Sequence, residues 1–140
     1  MRRRSDFAGR FRLHRRRKQA FEAQLLLDDG QQRKAEELAY GAMLQAAKTL
    51  VQIQWQDAPT DPDSVVNEFR NRYVETKIFW DPYHAGQFAN YLFARHSEGP
   101  DSRYTTETVH KLIEETNLFI DAAHKAHAKY RQSLNVLTPA

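Results

Sequence analysis

Ala35-Glu36-Glu37-Leu38-Ala39-Tyr40-Gly41-Ala42-Met43-Leu44-Gln45-Ala46-Ala47-Lys48-Thr49-Leu50-Val51-Gln52-Ile53 is the stretch on which the fold turns. Ala35, Ala39, Ala42, Ala46, Leu50 and Ile53 recur at steps of four and three, with Leu38, Met43, Ala47 and Val51 beside them. That period draws one stripe along a helix. A stripe made mainly of alanine lets a neighbouring helix come close. The expectation is an all-α fold, an antiparallel up-and-down bundle of four to five helices.

Working outward, the second helix spans about 31–56, ended by Asp57-Ala58-Pro59-Thr60, since proline forbids continuation. The helix before it is expected from about Asp6 to Asp28, along the stripe Phe7, Phe11, His14, Lys18, Phe21 and Leu25. Its Phe21–Leu27 part is read as firmly packed, with Gly30 as a left-handed cap. Asp61-Pro62 reads as N-cap and first turn of a third helix through Val65, Val66, Phe69, Tyr73 and Lys77. Trp80-Asp81-Pro82 is a break, after which Asp81 is expected to cap a fourth helix running to about His96. Glu98–Ser102 is a loop, and Thr105 caps a last helix over about 106–134. Its stripe is Val109, Leu112, Ile113, Thr116, Phe119, Ile120, Ala123, Ala126 and Tyr130.

A chain of 140 residues, 41% hydrophobic and 28% charged, suits one globular domain. No apolar run reaches the roughly 20 residues that cross a bilayer, so no membrane association is expected. No hydrophobic segment follows the basic start, which argues against a secretory signal. There are no cysteines, which removes disulfides, thiolate nucleophiles and cysteine-held metal clusters. That composition fits a cytoplasmic protein.

The net charge of +3 hides an asymmetry. Residues 1–18 carry nine Lys/Arg against Asp6 alone, a net of +8; the rest carries twelve basic and seventeen acidic residues, a net of −5. The division read from this is a basic arm or linker over 1–18, a helical bundle over 19–134 and a loose tail over 135–140. Arg10, Arg12, Arg15, Arg16, Arg17 and Lys18 could meet phosphates. Charge runs more often form a solvated face, and the acidic body makes nucleic-acid binding the less favoured use.

Eight of the sixteen aromatics fall between Phe69 and Phe93. Tyr73, Lys77, Trp80, Asp81, Tyr83 and His84 surround the break and form the candidate binding surface, for a planar or anionic ligand or for a partner. The competing reading, which is favoured, is that these aromatics fill the core beside a helix break. Glu107-x-x-His110 and Asp121-x-x-His124 each match half of a carboxylate-bundle metal pattern, but they share one helix, fourteen residues apart. No metal site is assigned, the histidines are read as surface residues, and no cofactor is expected in this chain. No G-x-S-x-G elbow or glycine-rich phosphate cradle is present, so no catalytic residue is assigned.

The segment Ala39–Leu50 resembles the alanine-rich helix of HEPN-type helical bundles. That resemblance implies an up-and-down bundle that often dimerises. Active members are ribonucleases with an arginine followed after four to six residues by a histidine; Arg103 and His110, with six between them, match that spacing, although Tyr104 stands where the family usually has a polar residue. More narrowly, Val66–Gly99 with Trp80-Asp81-Pro82-Tyr83-His84, and the last helix, look like the C-terminal helical extension of some bacterial ferredoxin-type nitrite/sulfite reductases. The resemblance implies an accessory role, with Met1 an arbitrary start and residues 1–18 the link to a catalytic body. The function expected is a non-catalytic interaction or dimerisation module, as a homodimer or docked on a reductase. The alternatives are an Arg103/His110 ribonuclease and a basic-armed nucleic-acid binder.

Overall fold

Ala35, Ala39, Ala42, Ala46 and Leu50 are all sealed from solvent in the computed structural model, which describes residues 2–81, 84–100 and 103–137. The described residues are 80% helical and form five α-helices with no strand. These are α1 (Arg2–Asp28), α2 (Gln32–Gln54), α3 (Pro62–Phe69), α4 (Asn90–Glu98) and α5 (Thr106–Leu137). None is long and apolar enough to cross a membrane.

Three long helices build the centre. The Gly30 turn and the bond from Arg12 Nη1 to Gln52 Oε1 at 3.1 Å set α1 antiparallel to α2, and the contacts of Arg17 with Asp121 and Gln24 with His110 set it antiparallel to α5. Gln32 Nε2 donates to Thr106 Oγ1 at 3.2 Å, joining the first turns of α2 and α5, which therefore run the same way. Small residues line the seams from all three sides. Ala20 and Ala23 of α1, Ala35, Ala39, Ala42, Ala46 and Leu50 of α2, and Ala123 and Ala126 of α5 are all fully buried. Gly9 is the extreme case: a Cβ there would lie 2.9 Å from Ile53 Cδ1 and 3.5 Å from His127 Cε1. The cost of a helix-interior glycine, about 1 kcal/mol, is offset by the approach it permits.

The face that α1 buries differs from the expected one. Gly9, Leu13, Ala20, Ala23 and Leu27 point inward. Of the anticipated stripe, Phe11 is 55% exposed, Phe21 65% and Leu25 52%, and Lys18 and His14 also face solvent. The reason is steric: small side chains fit the alanine face of α2, whereas a phenylalanine stripe would hold the two axes apart. The change of charge at Lys18 coincides with no break in α1, and residues 9–18 pack on the bundle through Leu13.

Local signals set the turns. Gly30, at φ +80°, caps α1, with its N–H on Leu27 O and that of Gln31 on Leu26 O, both 2.9 Å. Asp61 caps α3 by accepting from Ser64 N at 3.0 Å, with Pro62 opening the helix. Thr105 caps α5: Thr108 N donates to Thr105 Oγ1, and Thr105 N to Thr108 Oγ1. After Phe69 the backbone widens into a π-helical turn, Arg70–Val74, and leaves the helix before Lys77. The fourth helix does not start at Asp81. Asp81 and Ala85 exchange two backbone hydrogen bonds of 3.0 and 2.7 Å, and Asp81 Oδ1 accepts from His84 N. That closes a tight loop, with Ala85 at φ +53°, and delays α4 to Asn90 behind a short 3-10 turn, Gln87–Ala89. Pro82 lies outside the described residues, as do residues 138–140 of the anticipated tail.

Because Leu13 is fully buried, Leu13→Ala should cost about 2–5 kcal/mol in urea unfolding. A cost within about 0.5 kcal/mol, the range of surface changes, would show residues 1–18 to be a dangling arm.

Candidate functional site

Candidate chemistry is spread over three places: the corner at Trp80, a cleft between α4 and α5, and the outer face of α1. At the corner, the anticipated surface divides. Tyr73 is fully buried and its hydroxyl donates to the Leu50 carbonyl; burial pushes its phenol well above the usual range. It belongs to an aromatic cluster with Phe69, Phe79, Phe93 and Phe119, in which Phe69–Phe79 centroids lie 5.1 Å apart edge to face and Phe79–Phe119 4.9 Å. This part of the aromatic run is core. Lys77, in left-handed backbone at φ +63°, places Nζ 5.3 Å from the Trp80 ring centroid. Lys129 Nζ donates to Trp80 O at 3.1 Å and ties the corner to α5. Trp80, Asp81 and His84 do come together, joined by Phe88, Leu118, Asp121 and Lys125 around a recess of about 210 Å³. Tyr83 lies outside the described residues.

The cleft was not anticipated. It holds about 270 Å³ between Tyr91, Arg95, Glu98, Arg103, Tyr104 and Leu112. Beneath it sits Glu36, a fully buried carboxylate on α2. Its Oε1 accepts from Tyr91 Oη at 2.8 Å and from Arg95 Nε at 2.7 Å, while Arg95 also stacks 4.5 Å from the Tyr40 ring centroid. The carboxylate raises the Arg95 guanidinium above its ordinary range; desolvation first, then Glu36, raises Tyr91. The sequence signal was available: Glu36 sits beside Ala35 and Ala39 on the buried edge of α2, where a carboxylate requires partners. Tyr91 and Arg95, four apart on α4, supply them.

Arg103 lies in the loop before α5, and His110 is on α5 itself. Arg103 lines the cleft along with Val109 and Leu112, whereas His110 turns to α1, its Nδ1 3.2 Å from Gln24 Oε1 and its Nε2 3.2 Å from Glu114.

The histidines are not all surface residues. His127 is 2% exposed, packed opposite Gly9. His124 is half-buried with Nε2 lacking a hydrogen-bond partner among the described residues. Its pKa is lowered by desolvation, then by Arg17, with His127 and His14 adding to the effect and Asp121 opposing it. Among the described residues, no three His, Asp or Glu side chains converge as a metal site.

On the outer face of α1 the basic residues separate into two sets. Arg12 binds Gln52, Arg16 binds Gln19 at 2.8 Å, and Arg17 binds Asp121. Arg10, Arg15 and Lys18 are exposed and make no ion pair among the described residues; Arg15 lies 5.5 Å from the Phe11 ring centroid. No protein-family model, curated protein or solved structure matches this chain.

Arg95→Ala leaves the Glu36 charge buried and unpaired, so it should cost about 3–5 kcal/mol. Glu36→Ala with Arg95→Ala should cost less than the two single changes added together, measured as a double-mutant cycle in urea; strict additivity would deny the coupling. His124 takes up its proton less readily folded than unfolded. Its neutral form is therefore favoured by folding, and stability should fall as pH drops below the ordinary histidine value of about 6.5. Thermal melts from pH 7.5 to 5.5 should show a shallower decline for His124→Gln, and parallel declines would exclude His124 as a source.

Proposed function

We propose that this chain is a non-catalytic helical interaction module that docks on another protein through the outer face of α1. One observation carries the reading: Phe11, Phe21 and Leu25, with His14 and Lys18 between the two phenylalanines, stand exposed on one stripe of a helix whose opposite face is buried in the bundle. Scattered exposed apolar residues are ordinary on any surface, but three large apolar side chains held in helical register on one helix face supply anchors of the kind a packing partner uses. The occupant is a second copy of the chain or a larger body, such as the nitrite/sulfite reductase suggested by the sequence around Trp80–His84. The resemblance of Ala39–Leu50 to the alanine-rich helix of HEPN-type bundles points the same way, to a bundle used for assembly.

The test combines sedimentation over a wide concentration range with binding to an isolated ferredoxin-type reductase body. The reading expects association in one of these assays, weakened at least tenfold by Phe11→Ser with Phe21→Ser, while the melting curve stays unchanged. A strict monomer at high concentration that also ignores the reductase would refute it.

A further inference from the structure

We propose that the edge between α1 and α5, at the basic end of the bundle, binds the phosphate backbone of a single-stranded nucleic acid. Its residues are distinct from the Phe11, Phe21 and Leu25 anchors of the docking face. Antiparallel pairing creates the site, because it lays the first half of α1 beside the second half of α5. Over 9–18 and 121–134 the two helices carry nine Lys/Arg and one acid, Asp121. Over 19–28 and 106–120 they carry five acids and one cation, Lys111. On these two helices, then, the acids that make the chain beyond residue 18 net negative stand mostly at the opposite end.

Steps of four and three place Arg10, His14 and Arg17 on one line of α1, and Asp121, His124, Ala128 and Arg131 on one line of α5. Arg17 Nη2 meets Asp121 Oδ1 at 2.5 Å, and Gly9 faces His127. That register sets His14 across from His124, and Arg10 across from the exposed Ala128, which offers it no carboxylate. Lys125 and Arg131 flank Ala128 at three residues on either side, and Arg10 and Lys125 make no ion pair among the described residues. Asp121 is the single acid of the two lines, and Arg17 neutralises it. His124 registers the surplus of positive charge: after burial, Arg17 lowers its proton affinity most, with His127 and His14 adding and Asp121 opposing.

An extended row of cations open to water matches a linear polyanion, since each phosphate neutralised releases counterions and no base has to be read. The strand is confined to this end, because Glu22, Asp28, Glu107 and Glu114 lie beyond Arg17 and repel phosphate. A lipid surface fits less well. A bilayer takes up cations and apolar anchors in one plane, whereas Arg17 is turned to α5 and the exposed Phe11 and Leu25 stand outside this edge.

The experiment is fluorescence anisotropy on the full chain with a labelled oligothymidylate of about twenty residues, beside flotation with phosphatidylserine vesicles. Oligothymidylate should bind, and its affinity should fall at least tenfold between about 50 and about 200 mM salt. Arg10→Glu with Lys125→Glu should weaken binding at least tenfold. Arg33→Glu with Lys34→Glu, the same change of charge at the far end of α2, should leave it within about twofold. Phe11→Ser with Phe21→Ser should not alter it, so the docking role stands or falls separately. Each variant is compared at a melting curve matching the parent chain. Should the glutamate pair unfold, Arg10→Gln with Lys125→Gln, which adds no acid to the edge, should still weaken binding at least threefold. Oligothymidylate that fails to bind at the lower salt overturns the proposal, and so do equal losses in the two charge-reversed variants. Vesicle binding that depends on Arg10 and Lys125, with no binding of oligothymidylate, overturns it in favour of a lipid surface.

Discussion

Close approach of three long helices along faces of glycine and alanine is the constraint from which the other features of this structure descend. Dispersion falls off steeply with distance, so small side chains in register gain contact along the whole length of a seam. Ala35, Ala39, Ala42 and Ala46 supply that register on α2, Ala20, Ala23 and Gly9 on α1, and Ala123 and Ala126 on α5. Aromatic rings are displaced from these seams. Phe69, Phe79, Phe93, Phe119 and Tyr73 collect instead beside the π-helical turn, where rings meet at 4.9–6.1 Å.

That division of labour determines what α1 shows to the outside. A helix can bury its small face or its aromatic face, and the small face fits the neighbours. Phe11, Phe21 and Leu25 are thereby left facing water, in the company of Arg10, Arg15 and Lys18. A rigid helix fixed on two neighbours holds such a stripe in place at little further entropic cost, which favours its use in association. The buried Glu36–Arg95–Tyr91 cluster acts at the other end, fixing α4 onto the start of α2 and shaping the cleft above it. A hydrogen-bonded charge of this kind fixes register more than it adds stability.

Much of the architecture was legible in the residues because local chemistry and tertiary packing agree there. The alanine period, Gly30, Asp61-Pro62 and Thr105 each act through a local rule that tertiary structure did not override. Reading α1 from its phenylalanines failed because hydrophobicity ranks large residues first, while the seam selects for size. The start of α4 was misplaced because Asp81 is as good a turn former as a helix cap, and two backbone bonds to Ala85 decide between them. Of the candidate surface, Trp80, Asp81 and His84 were placed together by sequence adjacency. Tyr73 was lost to the core because its π-turn position turns the ring inward. The Glu36 cluster required knowledge of which helix lies over α2, which no local pattern contains.

The central claim is that α1 is integral to the bundle from Gly9 onward and that its outer face is consequently held rigid. Native-state hydrogen exchange of the full chain tests it most directly. The account predicts that amides from about residue 13 to 27 exchange only by global unfolding, with the protection of the α2 core around Ala42 and Ala46. Protection confined to α2 and α5, with α1 exchanging at nearly the rate of an unfolded peptide, would contradict it.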